Sequence, residues 1–238
     1  MMMVLTLGCR IKLIITFALP LLLGNIFQQA YSLTDTIIIG QHLGTDSLAA
    51  VGSTQADVQL MFNITGGAVT GFAIIIANNF GAGDEKEMRR TIARTITFSG
   101  IITAIIIAVV MCFSTQLLKA LDTPESIFGE AKLYLCIVAA GLVVTLLYNL
   151  EAGILRAVGD SVIPLVILII STALNIGLDW LLVCVFHAGV AGAAFATVAA
   201  QLISAVVCFI YLIKRRPFLI VKLSDFKFTL QSSLKLLS

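Results

Sequence analysis

At 238 residues the chain is long enough for one or two soluble domains, but 59% of it is hydrophobic, only 12% is charged and its mean hydropathy is +1.06. A soluble domain carries roughly 25% charged residues, so this chain cannot cover a water-facing surface and belongs in lipid. A net charge of +2 gives no footing to nucleic-acid binding.

Six apolar segments follow one another, each near or above the roughly 20 residues that a spanning helix needs. They run over 13–40, 47–80, 91–119, 126–155, 161–187 and 190–213. The predicted fold class is all-α, a polytopic bundle of six transmembrane helices over residues 1–216. Residues 217–238 are read as a cytoplasmic linker and the start of an incomplete seventh helix.

The first span holds Pro20, whose missing N–H and bulky ring predict a kink. It also holds Asn25, Gln28, Ser32 and Asp35, spaced three, four and three apart. On a helix that spacing puts all four on one face. The short link "QHLGTDS" follows. The second span carries "STQADVQ", where Asp57 lies between Gln55 and Gln59 about ten residues in, and later Gly67 and Gly71 as a GxxxG packing signal. The link "GAGDEKEMRR" leads to the third span. In "DTPES" an Asp/Thr pair precedes Pro124 and Glu125, which predicts a helix start. Glu151 falls near the inner end of the fourth span, before the link "RAVGDS", and is expected to snorkel or to pair with Arg156. The fifth contains Asn175 and Asp179, one turn apart. The sixth shows Gly189, Ala193, Ala196, Ala200 and Ser204 along one side, a small face for close packing, and Thr197 beside them. Five cysteines are scattered with no CxxC pair and are read as small buried hydrophobes.

Basic residues set the expected orientation. Thirteen Lys and Arg fall before the first span, after the second, after the fourth and after the sixth; only Lys119 and Lys132 fall on the other side. The positive-inside rule then places both termini in the cytoplasm, in a multi-pass cell (inner or plasma) membrane protein.

Charge in the membrane core costs about 2.5–3.5 kcal/mol on the insertion scale, so Asp35 and Asp179 each need a partner or a task. Asp35 lies six residues before the outer end of its span at Gln41, Asp179 eight before His187, and Thr197 eight after Gly189. At 1.5 Å per residue all three fall roughly 9–12 Å below the outer surface. With Asn175 one turn below Asp179, four oxygen-bearing side chains on three helices can share one layer. Such a site can hold a proton between like charges or coordinate Na⁺. A purely structural reading stays open: Asn175 and Asp179 can cap a broken helix or bond across the bundle, and Asp57 can be an interfacial or water-cavity residue.

Four stretches in this order carry a family resemblance: "ALPLLLGNIFQQAYSLTDTIIIGQHLGTDSLAAVG", "NNFGAGDEKEMRR", "GILRAVGDSVIPL" and "LNIGLDW". The chain resembles the multidrug and toxic compound extrusion (MATE) transporters, over their first six-helix half. The resemblance implies two six-helix bundles related by an axis along the membrane normal, and efflux of organic, often cationic, compounds in exchange for Na⁺ or H⁺. It implies no enzyme activity and no cofactor beyond the coupling ion. Asp35 is similar to the family's first-helix carboxylate, Asn175 and Asp179 to its fifth-helix Asn-x-x-x-Asp pair, and Thr197 to a sixth-helix hydroxyl of the same cluster. Pro20 matches the proline at which the first helix bends. Gln28, Tyr31, Ser32 and Asp57 are expected to line the cavity. Gly40, Gly44, Gly81, Gly83, Arg156, Gly159 and Asp160 are read as structural motif positions.

Two departures stand out: Asn79 where Gln is frequent, and Asp57 where an uncharged residue is expected. Family members are also longer than this chain, so a fragment, a truncated product or a separately made half is expected, with a second six-helix half or another copy as partner beside lipid and a small organic substrate. The alternatives weighed are a lipid-linked saccharide flippase, disfavoured because no Lys or Arg lies mid-span, and a non-transporting assembly partner. An intramembrane aspartyl protease is disfavoured because "RAVGD" lacks the required Gly-x-Gly-Asp.

Overall fold

A computed structural model describes the backbone of residues 7–226 and the side chains from Ala18 onward, except those of Leu21, Tyr31, Leu223 and Ser224. The expected seventh-helix start falls largely on residues 227–238, outside the described residues. Six long helices make up the chain: α1 (Leu7–His42), α2 (Thr45–Gly81), α3 (Glu85–Ala120), α4 (Phe128–Ala157), α5 (Val162–Asp179) and α6 (Gly189–Arg215). Two short 3₁₀ turns, Pro217–Leu219 and Leu223–Phe226, follow α6, and no strand occurs among the described residues. The six long helices match the six expected spans in number and order; α1 and α3 begin six residues before their predicted starts, and α5 ends at Asp179, with a further helical segment, Trp180–Val185, completing most of its predicted span.

The turns are built by local chemistry. Asp84 caps α3 by accepting a hydrogen bond from the Glu87 N–H at 2.9 Å. Asn79, one of the two departures, donates to the Thr91 hydroxyl at 3.1 Å and ties the end of α2 to α3. Gly159 takes φ +86° and closes α4, with the Asp160 N–H returning to the Leu155 carbonyl at 2.9 Å. Asp160 then accepts from the Ile163 N–H and the Tyr211 hydroxyl and pairs with Arg216 at 3.5 Å, which fastens the start of α5 to the end of α6. Gly44 and Gly83 also take positive φ at their turns. Gly40 lies against Leu48 where α1 meets α2, whereas Gly81 is exposed and has open space around it.

One expected helix start is corrected. Residues 124–127 form a turn, with the Ile127 N–H bonded to the Pro124 carbonyl at 3.2 Å, and α4 begins only at Phe128. The Ile127 and Phe128 N–H groups both reach three residues back, to Pro124 and Glu125, so this stretch is a tight 3₁₀-like turn and not the first turn of the α-helix.

Helix α4 is the centre of the bundle and packs against α2, α3 and α6. Two of its glycines set those distances. A Cβ on Gly141 would run into Val198 of α6, and one on Gly153 would come within 2.8 Å of Val69 of α2. The small face expected on α6 is buried as predicted: Ala193, Ala196, Ala200 and Ser204 are all inaccessible. The GxxxG of α2 is not. Gly67 and Gly71 are exposed and a Cβ on either would meet nothing within 4 Å, so no helix packs on that face among the described residues. One large apolar cluster, with Ile39, Leu135 and Leu142, fills one end of the bundle; another, with Ile92, Leu155 and Cys208, fills the other. Helix α1 stands apart. It packs mainly on α5 and only lightly on α2, leaving a cleft between α1 and α2. It continues as helix through Pro20.

Gly141→Ala should overpack the α4–α6 contact and cost about 1–3 kcal/mol. A lower thermal unfolding midpoint in detergent, restored by adding Val198→Ala, is the expected outcome; an unchanged midpoint would mean that the two helices can separate freely.

Candidate functional site

The polar stripe on α1 is graded. Asn25 and Gln28 are exposed, Ser32 is half-buried and Asp35 is buried. The stripe thus leads from the open cleft into the bundle. Asp35 meets a second carboxylate there: its charge reaches Asp179 of α5. Asp179 is fully inaccessible at 0% and Asn175, one turn earlier, is 1% exposed. Such burial normally requires full hydrogen bonding. Here Oδ1 of Asp35, both carboxylate oxygens of Asp179 and both amide atoms of Asn175 have no hydrogen-bond partner among the described residues.

Two cavities join these groups. One of about 130 Å³ lies between α1, α2, α4 and α6 and is lined by Gln28, Ser32, Asp35, Gln59, Tyr134 and Thr197. A smaller one of about 10 Å³, room for roughly one water, lies among Asn175, Thr197, Ser171, Thr172 and Gln201. Thr197 borders both, so it links the Asp35 side to the Asn175 side. The four residues placed in one layer by depth are therefore brought together by α1, α5 and α6.

The backbone is unusual next to the pair. Directly after Asp179 the helix widens into a π-helical segment, Trp180–Val185, whose end is closed by the Phe186 N–H on the Leu181 carbonyl at 3.0 Å. π-segments inside helices are frequent at functional sites because they re-aim side chains.

Other expected residues divide. Gln28 and Ser32 line the larger cavity. The Tyr31 side chain lies outside the described residues. Asp57 is half-buried on α2 with a buried, unpartnered Oδ2, and lines neither cavity. Pro20 lines a separate cavity at the opposite end of the cleft, as does Arg156. Glu151 does not pair with Arg156. It lies against Cys208 of α6 and borders an apolar cavity with Ile92 and Phe226. Five residues apart on a helix is about 140° around the axis, so the two charges face different ways.

Tyr134 and Gln201 are members that the sequence reading missed. Tyr134 is buried on α4, borders the larger cavity and feels the charge of both Asp35 and Asp179. Its signal was available. It lies six residues after Phe128, hence about 9 Å deep, in the same layer as the carboxylates. Gln201 carries an unpartnered buried Oε1 one turn after Thr197.

No group of three or more His, Cys, Asp and Glu occurs among the described residues. What the site offers is hard oxygen: two carboxylates, an amide and hydroxyls. Their unsatisfied acceptor atoms fit a proton or a Na⁺-like cation, since either would supply the missing positive partner.

An all-α membrane bundle with a buried carboxylate pair defines a polytopic transport protein, and the comparisons specify which. The MatE family model matches residues 20–181, and the chain belongs to that family, whose members are membrane transporters rather than enzymes. It is 32% identical over 223 residues to the probable multidrug resistance protein YpnP of Bacillus subtilis (strain 168), covering 92% of this chain and 49% of that protein. It is 30% identical over 204 residues to the probable multidrug resistance protein YoeA of the same strain, covering 84% and 44%. Among solved structures, an outward-facing multidrug resistance MATE family transporter of the MOP superfamily superposes with TM-score 0.87 at 25% identity, over 95% of this chain and 50% of that one. An inward-facing one superposes with TM-score 0.82 at 26% identity, over 88% and 48%. The chain spans about half the length of the curated relatives it matches.

Asn175 is costly where it stands. Replacing a buried, unsatisfied amide by an apolar side chain of similar size removes a penalty of about 1–3 kcal/mol. Asn175→Leu should raise the unfolding midpoint of the purified chain in Na⁺-free buffer and abolish any stabilisation by added Na⁺. A lower midpoint would show that the amide is satisfied and structural.

Proposed function

We propose that this bundle is the ion- or proton-coupling half of a secondary antiporter that exports organic, often cationic, compounds in exchange for Na⁺ or H⁺. The observation that carries the reading is Asp179: fully buried, without a hydrogen-bond donor among the described residues, and within electrostatic reach of Asp35 on a different helix. Two uncompensated negative charges at one buried locus cost several kcal/mol each, so a proton or cation must accompany them. Asp35 and Asp179 hold that charge. Asn175 and Thr197 contribute an amide oxygen and a hydroxyl beside it, and Tyr134 closes the layer from α4.

Helix α1 is the element that responds. It carries Asp35 yet has few neighbours beyond α5, so it can shift at low cost when the pair gains or loses its cation, with Pro20 as the hinge. Coupling then works through charge. When the pair is filled, α1 is drawn onto α5 and α6; when it is empty, the negative locus at the end of the polar stripe favours a cationic compound in the cleft.

The exposed polar faces support a second six-helix half or another copy as partner. Gln28 and Gln29 of α1 and Gln55 and Gln59 of α2 are all exposed toward one cleft. Polar side chains at membrane depth face protein or water rather than lipid. A partner bundle would enclose these residues in a shared cavity, and alternating access would follow from one bundle rocking against the other. The positive-inside asymmetry supports a cell-membrane location with both termini cytoplasmic. Cysteines introduced at Thr45 and Lys86 in a cysteine-free background should then label from opposite sides, Thr45 from outside; labelling of Thr45 only from the cytoplasm would reverse the orientation.

In a transporter containing this bundle, Asp35→Asn and Asp179→Asn should each reduce ion-coupled efflux to background while leaving the amount in the membrane unchanged or higher, since neutralisation lowers the insertion cost. Efflux at the parent rate in either variant would remove that carboxylate from the coupling site.

A further inference from the structure

A larger cavity than the one beside the carboxylates lies elsewhere along the cleft. It has a volume of about 590 Å³ and lies at the opposite end of the cleft, between α1, α2, α4 and α5. Gln28 borders both, at the boundary. This size is typical of sites for small molecules.

Its polar groups are of one kind. Arg156, at the last turn of α4, brings a guanidinium to the wall. Asn25, Asn149 and Ser161 add amide and hydroxyl donors, the Thr70 hydroxyl is spent on the Gly66 carbonyl, and no Asp or Glu is among the lining residues. The rest of the wall is apolar, including Ile74, Leu165 and Leu168.

Arg156 is half-buried, and its side chain makes no hydrogen bond or ion pair with another described residue. The two acids nearest in sequence are engaged elsewhere. Glu151 faces Cys208 on the other side of α4, and Asp160 is held by Tyr211 and Arg216. Ser161 is buried at the start of α5 but makes no capping bond, so its hydroxyl is also left for the cavity. A half-buried guanidinium without an acid is poorly compensated by the protein alone, and its planar fork matches phosphate oxygens two at a time.

We propose that this cavity binds a phosphate group, with Arg156 as its charge partner and the Asn149 and Ser161 side chains as neutral donors. The apolar wall beside the fork suits a phosphate that carries acyl chains, as an anionic phospholipid does. Basic pockets between membrane helices commonly take such headgroups. The site is separate from the carboxylate pair and of opposite charge, so it does not compete for the coupling cation.

Native mass spectrometry of the purified chain tests this with three probes: phosphatidylglycerol, phosphatidylcholine and inorganic phosphate. Phosphatidylglycerol should bind the parent in preference to phosphatidylcholine, and Arg156→Gln should weaken it about tenfold, the loss expected for one hydrogen bond between charged groups. Arg156→Lys, which keeps the charge but loses the fork, should fall between the parent and Arg156→Gln. Lys222→Gln, an exposed basic residue outside the cavity, should stay within about twofold of the parent, as surface substitutions do. Inorganic phosphate that binds with the same dependence on Arg156 and displaces the lipid would identify a free phosphate as the ligand. Lipid binding without phosphate binding would identify the headgroup. If Arg156→Gln fails to fold, Ala73→Leu, which fills the cavity and keeps the charge, decides: weakened binding supports the site, and parent affinity overturns it. Equal phosphatidylglycerol binding by a folded Arg156→Gln variant, or no binding of any probe by the parent, also overturns it.

Discussion

Two carboxylates that the protein itself does not neutralise are the constraint on which this structure turns. Asp35 and Asp179 come from α1 and α5 and lie within electrostatic reach of each other, and Oδ1 of Asp35 and both oxygens of Asp179 find no donor among the described residues. A stable water-soluble core would not keep such a pair, because desolvated charge without a partner costs more than an apolar replacement of the same size. In a membrane transporter the same deficit is useful. It makes a proton or cation part of the folded state, and it lets the gain or loss of that charge do mechanical work on whichever helix is least firmly held.

The remaining architecture separates a rigid part from a yielding one. Helix α4, with glycines at its closest approaches to α2 and α6, locks four helices into a dense frame. The loop of Asp160, Tyr211 and Arg216 then fixes α5 to α6 at one end. Among the described residues α1 is the least braced, packing mainly on α5, and it carries both Asp35 and Pro20. The π-helical turn after Asp179 lies on the α5 side of the pair, so the carboxylates are flanked by a loose helix on one side and an irregular one on the other. The cleft beside α1 is also divided by charge: acidic near Asp35, basic near Arg156, with Gln28 between them.

Much of this was legible in the sequence, and the reasons are physical. Spans could be drawn because a bilayer demands some 20 apolar residues in a row. Asp35, Asn175, Asp179 and Thr197 could be grouped because a helix rises by a fixed amount per residue, so known ends give depths. That argument, applied only to acids and their neighbours, passed over Tyr134, which reads as an ordinary aromatic until its depth is counted. Contacts that depend on which way a side chain points were less accessible. Glu151 and Arg156 are close in sequence but turned apart, and Gly67 and Gly71 look like a packing motif yet no helix packs on them among the described residues. The π-segment has no sequence signal, since its extra residue per turn reflects how α5 meets its neighbours rather than any local preference.

The central claim is that Asp35 and Asp179 form one charge-sharing site. Infrared difference spectroscopy of the purified chain across a pH titration tests it most directly. The account predicts a carboxyl band in the parent that disappears or shifts in both Asp35→Asn and Asp179→Asn. A parent band that survives unchanged in both variants would contradict it.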